Sequence, residues 1–260
     1  MATRKRAATR TTTNKAIANV DALLQAQLAA IRSKIQAPTG KNIKILRGGE
    51  EFEVPGVGIV PAPMRVVVVA FTNRNDFYED PYDASNIVAP RCFAIGEKIA
   101  EMTPDPTVPE PQAVDCATCA LNQWGSEGKR KACKNQKIVA VLPPDNAAAD
   151  ILVVKVSPTG LKEFDGMVST LAERWAKVPV QIVAEIGIKP AGQGYAFTFD
   201  LATDENNQPM LNPDVGAFLA RAEEGRKIVE AKPDMEPREA SPPKKTATRR
   251  GTTRGRPRAA

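Results

Sequence analysis

A chain with four cysteines and no histidine can build only one kind of nitrogen- or sulfur-ligated metal site, an all-cysteine one, and it has no cysteine to spare. The four are Cys92, Cys116, Cys119 and Cys133. Cys116 and Cys119 form a C-x2-C knuckle, a spacing that lets two thiolates point at one ion. Cys133 follows after a loop of small and charged residues, and Cys92 arrives from upstream on what reads as a strand end. Four soft sulfur ligands predict a closed tetrahedral zinc site. Cys92 is the member separated from the others by the longest stretch, and Asp115 or Asp105 is the alternative for its place. The competing readings are a pair of disulfides, a redox C-x2-C and four unrelated buried thiols. A redox knuckle usually sits beside a βαβ unit, and none is visible. The opening residues, Met1-Ala2-Thr3-Arg4-Lys5-Arg6, are basic and lead into threonines rather than an apolar run with a cleavage site. The expected compartment is therefore reducing, the cytoplasm, where disulfides are disfavoured.

Charge is segregated along the chain. Residues 1–15 carry Arg4, Lys5, Arg6, Arg10 and Lys15 without an acid, and residues 241–260 carry Lys244, Lys245, Arg249, Arg250, Arg254, Arg256 and Arg258 without one. Those 12 cations leave 24 for the middle against all 30 acids, so the middle is −6 and the ends are +12. Basic arms on an acidic body are the footprint of polyanion binding, with a solubilising tail as the alternative. The longest apolar run, Val66-Val67-Val68-Val69-Ala70-Phe71, has strand length and falls far short of a membrane span.

Periodicity predicts an arm over 1–15 and an amphipathic helix over 16–36, on Ile17, Val20, Leu24, Leu28, Ile31 and Ile35. Pro38-Thr39-Gly40 stops it. Strands are expected at 43–46, 52–59, 65–72, 137–142 and 151–156, with Asn73-Arg74-Asn75-Asp76 as a turn. Pro104, Pro106, Pro109 and Pro111 hold 102–114 extended. Ser157-Pro158 reads as an N-cap followed by a proline at the first helical position, with Leu161, Phe164, Met167, Val168, Leu171 and Trp175 as the apolar face. Strands over 178–188 and 195–201 are joined at Gly192-Gln193-Gly194 as a hairpin. A last helix spans about 213–230, and prolines open a disordered tail over 232–260.

These elements predict a mainly β protein with α additions. The specific expectation is an OB-fold-like small barrel over 41–205, with a zinc subdomain at 88–136 inserted in it. An antiparallel α+β sandwich is the alternative. The loop around Cys133 is the most basic segment expected to be ordered. Lys129, Arg130, Lys131, Lys134 and Lys137 cluster around Cys133, Trp124 lies between the knuckle and the cluster, and Arg91 beside Cys92 is a further candidate contact. Cations neutralise phosphates and a base stacks on indole whatever its identity, so the loop suits single-stranded nucleic acid. The alternative for Trp124 is a mini-core over the metal site. Tyr195, Phe197 and Phe199 share one strand face and are read as core, with a stacking platform as the second option. In the tail, Arg254-Gly255-Arg256-Pro257-Arg258 resembles an AT-hook, whose arginines follow a narrow minor groove. Catalysis finds little to work with: no histidine and no phosphate-binding G-x-x-x-x-G-K-[ST] loop. The acidic set Asp76, Glu79, Asp80 and Asp83 is the place for Mg2+ in a nuclease, or an exposed turn.

The run Cys116-x2-Cys119, Asn122-Gln123-Trp124-Gly125-Ser126, Gly128-Lys129 and Lys131-Ala132-Cys133-Lys134 resembles a motif of bacteriophage single-stranded DNA-binding proteins with a zinc site and an OB core. So does Val156-Ser157-Pro158-Thr159-Gly160-Leu161-Lys162. The resemblance covers about 88–175. This chain departs from it in lacking a histidine ligand and in ending on a basic rather than an acidic tail. The resemblance implies a non-enzymatic protein that coats single-stranded DNA in phage replication or recombination, in the host cytoplasm. Replication proteins and further copies of the chain are its open partners, and no membrane is. The alternatives are duplex compaction through the tails, as in a nucleoid or virion protein, and the metal-dependent nuclease.

Overall fold

The computed structural model describes residues 41–80, 88–192 and 194–233. The expected helix over 16–36, both basic arms with Arg254, Arg256 and Arg258, Asp83 and Gln193 lie outside them. The protein is mainly β, with a six-stranded antiparallel sheet and few helices. Its described residues belong to two compact units, one of 41–74 and 135–231, the other of 75–134 with 232–233.

In the first unit, β1 (Lys44–Ile45), β2 (Glu51–Val54) and β3 (Gly58–Pro61) form a small antiparallel sheet. The large sheet has the order β7 (Leu152–Val156), β6 (Cys133–Leu142), β4 (Met64–Phe77), β8 (Ala184–Ala191), β9 (Gly194–Leu201), with β5 (Cys92–Gly96) pairing to β4 off this path. Neither sheet closes among the described residues, so a barrel is not formed there.

The apolar run of β4 is explained by burial on both faces. Val66 and Val68 join one core with Val139, Val141, Val154, Val156, Ala184, Ile186, Phe197 and Phe199. Val67 and Val69 join a second with Ile138, Ala140, Leu142, Val153 and Val183. Alternation at a period of two assigns each neighbour to the opposite face. The first core is covered by α1 (Leu161–Trp175) through Phe164, Met167 and Leu171, and by Phe52 and Val54 of the small sheet. Phe52 stacks on Phe197 with ring centroids 5.8 Å apart. The second core is covered by α2 (Val215–Ala220) and α3 (Ala222–Val229) through Phe218 and Val229. Each such side chain contributes about 1.5–3 kcal/mol of burial.

The alternation slips once. Val69 and Ala70 both pack on the second core, and a Cβ on Gly225 of α3 would meet both. Phe71 then returns to the first side, edge-on to Phe164 with centroids 5.1 Å apart. One extra residue in one face of a strand is what a β-bulge inserts, and it re-aims everything downstream.

Several boundaries differ from the sequence expectation. Asn73-Arg74-Asn75-Asp76 is not a turn: β4 runs on to Phe77. The polar side chains are accommodated because they find partners, Asn73 the buried Lys137 ammonium (2.5 Å) and Arg74 the Ala231 carbonyl (3.4 Å). Ser157-Pro158 does not begin the helix; it forms a turn in which Gly160 N–H donates to the Ser157 carbonyl (2.8 Å), and α1 starts at Leu161. Residues 179–181 form a 3-10 turn at Pro179, so β8 begins later than expected. The helix over 213–230 is broken at Arg221, whose guanidinium turns away to the carbonyls of Ala147 and Ala149. The hairpin is as read, with Ala191 opposite Gly194.

Candidate metal and nucleic-acid site

The second unit is poor in apolar burial. Its small core is Ala94, Met102 and the Cys116 side chain, with Phe93 and Val108 also buried. Polar bonds shape the rest. Asp115 accepts from Thr118 N–H (2.7 Å) and Thr118 Oγ1 (2.8 Å), which closes the turn Cys116-Ala117-Thr118-Cys119. Those bonds, the backbone one first, hold the Asp115 carboxyl below its ordinary range. Cys116 N–H donates to the Met102 carbonyl (2.9 Å), tying the knuckle to the proline-rich segment.

Cys92, Cys116, Cys119 and Cys133 all line one cavity of about 20 Å³, with Asn75, Phe77, Phe93 and Asn122 among its other walls. Room of that size admits about one water-sized sphere. None of the four is in a disulfide, Cys92 is half-buried and the other three are buried. Burial and then the mutual repulsion of the neighbouring thiols push Cys133 up to about 12, with Asp76 adding to the repulsion. Burial likewise raises Cys116, against a hydrogen bond from Asn75. Among the described residues, no group of three or more histidine, cysteine, aspartate or glutamate side chains is arranged to hold a metal ion. The thiols thus share a cavity without forming a finished cage. Of the two aspartates that could replace Cys92, Asp105 is bound to Thr107 and the Lys232 ammonium (3.0 Å), whereas Asp115 lines the thiol cavity and accepts from Thr118.

Trp124 does not pack over the thiols. It is 77% exposed, although the residues on either side are fixed. Gln123 Nε2 donates to the carbonyls of Ala117 (2.7 Å) and Cys119 (3.2 Å), and Gly125 N–H to that of Arg130 (3.1 Å). Lys129 and Arg130 are exposed and Lys131 and Lys134 half-buried. Lys134 pairs with Glu127. Arg91 is bound into a carboxylate pair, Glu79 and Glu110. Lys137 is buried in β6 and paired with Asp165 of α1 (3.1 Å), so it belongs to the sheet scaffold.

The remaining expected sites resolve as follows. Phe197 and Phe199 are core, and the Tyr195 ring rests where a Gly49 side chain would be. Of the described members of the acidic set, Asp76 is buried and Glu79 pairs with Arg91. Sequence reasoning named Asn122 in the motif run but gave it no role; it is a buried amide bonded to the Cys116 carbonyl (2.6 Å). Its place three residues after the knuckle was the available signal. No described helix is long and apolar enough to cross a membrane. No family model, curated protein or solved structure matches this chain.

Proposed function

We propose that this protein binds single-stranded DNA without sequence preference, through a loop stiffened by zinc on four cysteine thiolates and through its basic arms. The observation that carries the reading is the convergence of all four thiols on one cavity beneath a loop that exposes Trp124, Lys129 and Arg130. The donor set suits zinc: four sulfurs, no spare ligand and space for one small sphere. A unit with so few buried apolar side chains gains the stability it lacks when a metal ties its ligands together. Loading would displace the thiol protons, since thiolates are the ligands. With every position taken by sulfur, the metal has no open site for chemistry, and the role is non-enzymatic.

An OB-like core belongs to the same proposal. What supports it is that Phe52 and Val54 of the three-stranded sheet, strands of the six-stranded sheet and α1 contribute to one core, although neither sheet closes among the described residues. The motif resemblance around Cys116–Cys133 supports a phage origin and a place in replication or recombination in the host cytoplasm.

The experiment is metal analysis of purified protein together with fluorescence anisotropy on labelled single-stranded and duplex oligonucleotides, for the full chain and for a form lacking 1–15 and 241–260. One zinc per chain, and a preference for single strands that survives truncation, are expected. Folded protein without metal would remove zinc from the reading. Complete loss of binding on truncation would assign all affinity to the arms and favour duplex compaction.

A further inference from the structure

We infer that Trp124 is a one-sided stacking face for an unpaired base, held in place by Asn122 and Lys131 on the backbone of the cysteine knuckle. This rests on the nucleic-acid reading above and adds to it the contact that would distinguish one strand from two.

Asn122 is bonded to both knuckle cysteines. Its N–H donates to the Cys119 carbonyl (3.0 Å) and its side-chain amide to the Cys116 carbonyl (2.6 Å). Its side-chain amide oxygen, Oδ1, accepts from the Lys131 ammonium at 3.4 Å. That ammonium lies 5.9 Å from the centroid of the Trp124 ring. A chain of contacts therefore runs from the metal-ligand backbone through one buried amide and one cation to the indole. Ser126 closes the loop from the other side: its hydroxyl donates to the Gln123 carbonyl (2.7 Å) and accepts from Ala132 N–H (2.9 Å).

The consequence is geometric. Lys131 sits over one face of the indole and leaves the other to solvent, so a single base can stack there. An aromatic ring accepts any base, because each has a π-face. In a duplex the bases already stack on one another and that face is not on offer. Lys129 and Arg130, next in the loop, would take the phosphates. Asn122 and Lys131 are positioning residues, and Trp124 is the contact.

The test uses metal-loaded full-length protein carrying Trp175→Phe, so that Trp124 alone emits, titrated with an oligothymidylate and with a duplex of equal length. Anisotropy reports binding and emission reports stacking. The single strand should quench Trp124 and the duplex should not. Asn122→Ala and Lys131→Met should keep their metal, lose most of the quench and weaken single-strand binding roughly tenfold. Should Asn122→Ala fail to fold, Lys131→Met tests the same contact. The inference is overturned if the single strand binds without changing emission, if the duplex quenches equally, or if both variants quench like the parent. Absence of any anisotropy change would instead overturn the nucleic-acid reading itself, and this inference with it.

Discussion

At Gly160 the lack of a side chain decides where a helix can start. A Cβ there would lie 2.9 Å from the Phe197 carbonyl oxygen and 3.1 Å from Val156 Cγ1. Backbone does not give way as a flexible side chain does, so Gly160→Ala should cost about 1–3 kcal/mol, read as a lower urea midpoint at unchanged slope. The same residue shows the limit of local signals. Ser157-Pro158 has the chemistry of a helix start, yet the close approach of β9 favours a turn through Gly160 first, and that approach is a tertiary fact. Trp124 was undecided in sequence for a related reason. An aromatic beside cysteines reads equally as lid or as contact, and only its exposure separates the two. Asn122 stands in the sequence only as one letter of a motif, and its bond to the Cys116 carbonyl is visible only in the fold.

Among elements, those with strong periodicity were legible. The Val66–Val69 run announced a strand, and the apolar face of α1 was read residue by residue, because burial imposes both patterns directly. The polar half of β4 was not legible: Asn73 and Arg74 look like a turn until their distant partners, Lys137 and Ala231, are known. Helix α1 is also fastened to β8 by Glu163 and Lys189. The hydrogen bond from Lys189, then its charge, holds the Glu163 carboxyl below its ordinary value. A carboxyl lowered in the folded state stabilises above the unfolded value of about 4.3, and that contribution fades as pH falls through the folded value. Stability measured by urea titration should therefore drop below about pH 4.3 less steeply in Glu163→Gln than in the parent. Equal acid slopes would mean that the pair is held together no better than any surface pair.

On the scale of the molecule, the two units hold themselves together differently. The first has two apolar cores on the two faces of one sheet, and the second has a few apolar residues and four thiols. If zinc binds as proposed, a chelator should abolish amide protection in Cys92–Gly96 and around Cys116 and Cys119. Protection at Val66–Val69 and across Val139–Leu142 should persist, as hydrogen exchange would show peptide by peptide. Simultaneous loss everywhere, or none, would contradict it. The register slip at Val69 and Ala70 also matters at this scale. Beyond it, β4 supplies Asn75 and Phe77 to the thiol cavity, so an odd-numbered insertion or deletion between the valine run and Asn75 would turn both side chains to the opposite face of the strand. Conservative replacement of any one residue there would do far less. The cavity wall contributed by this strand is thus specified by a count of residues more than by a choice among them.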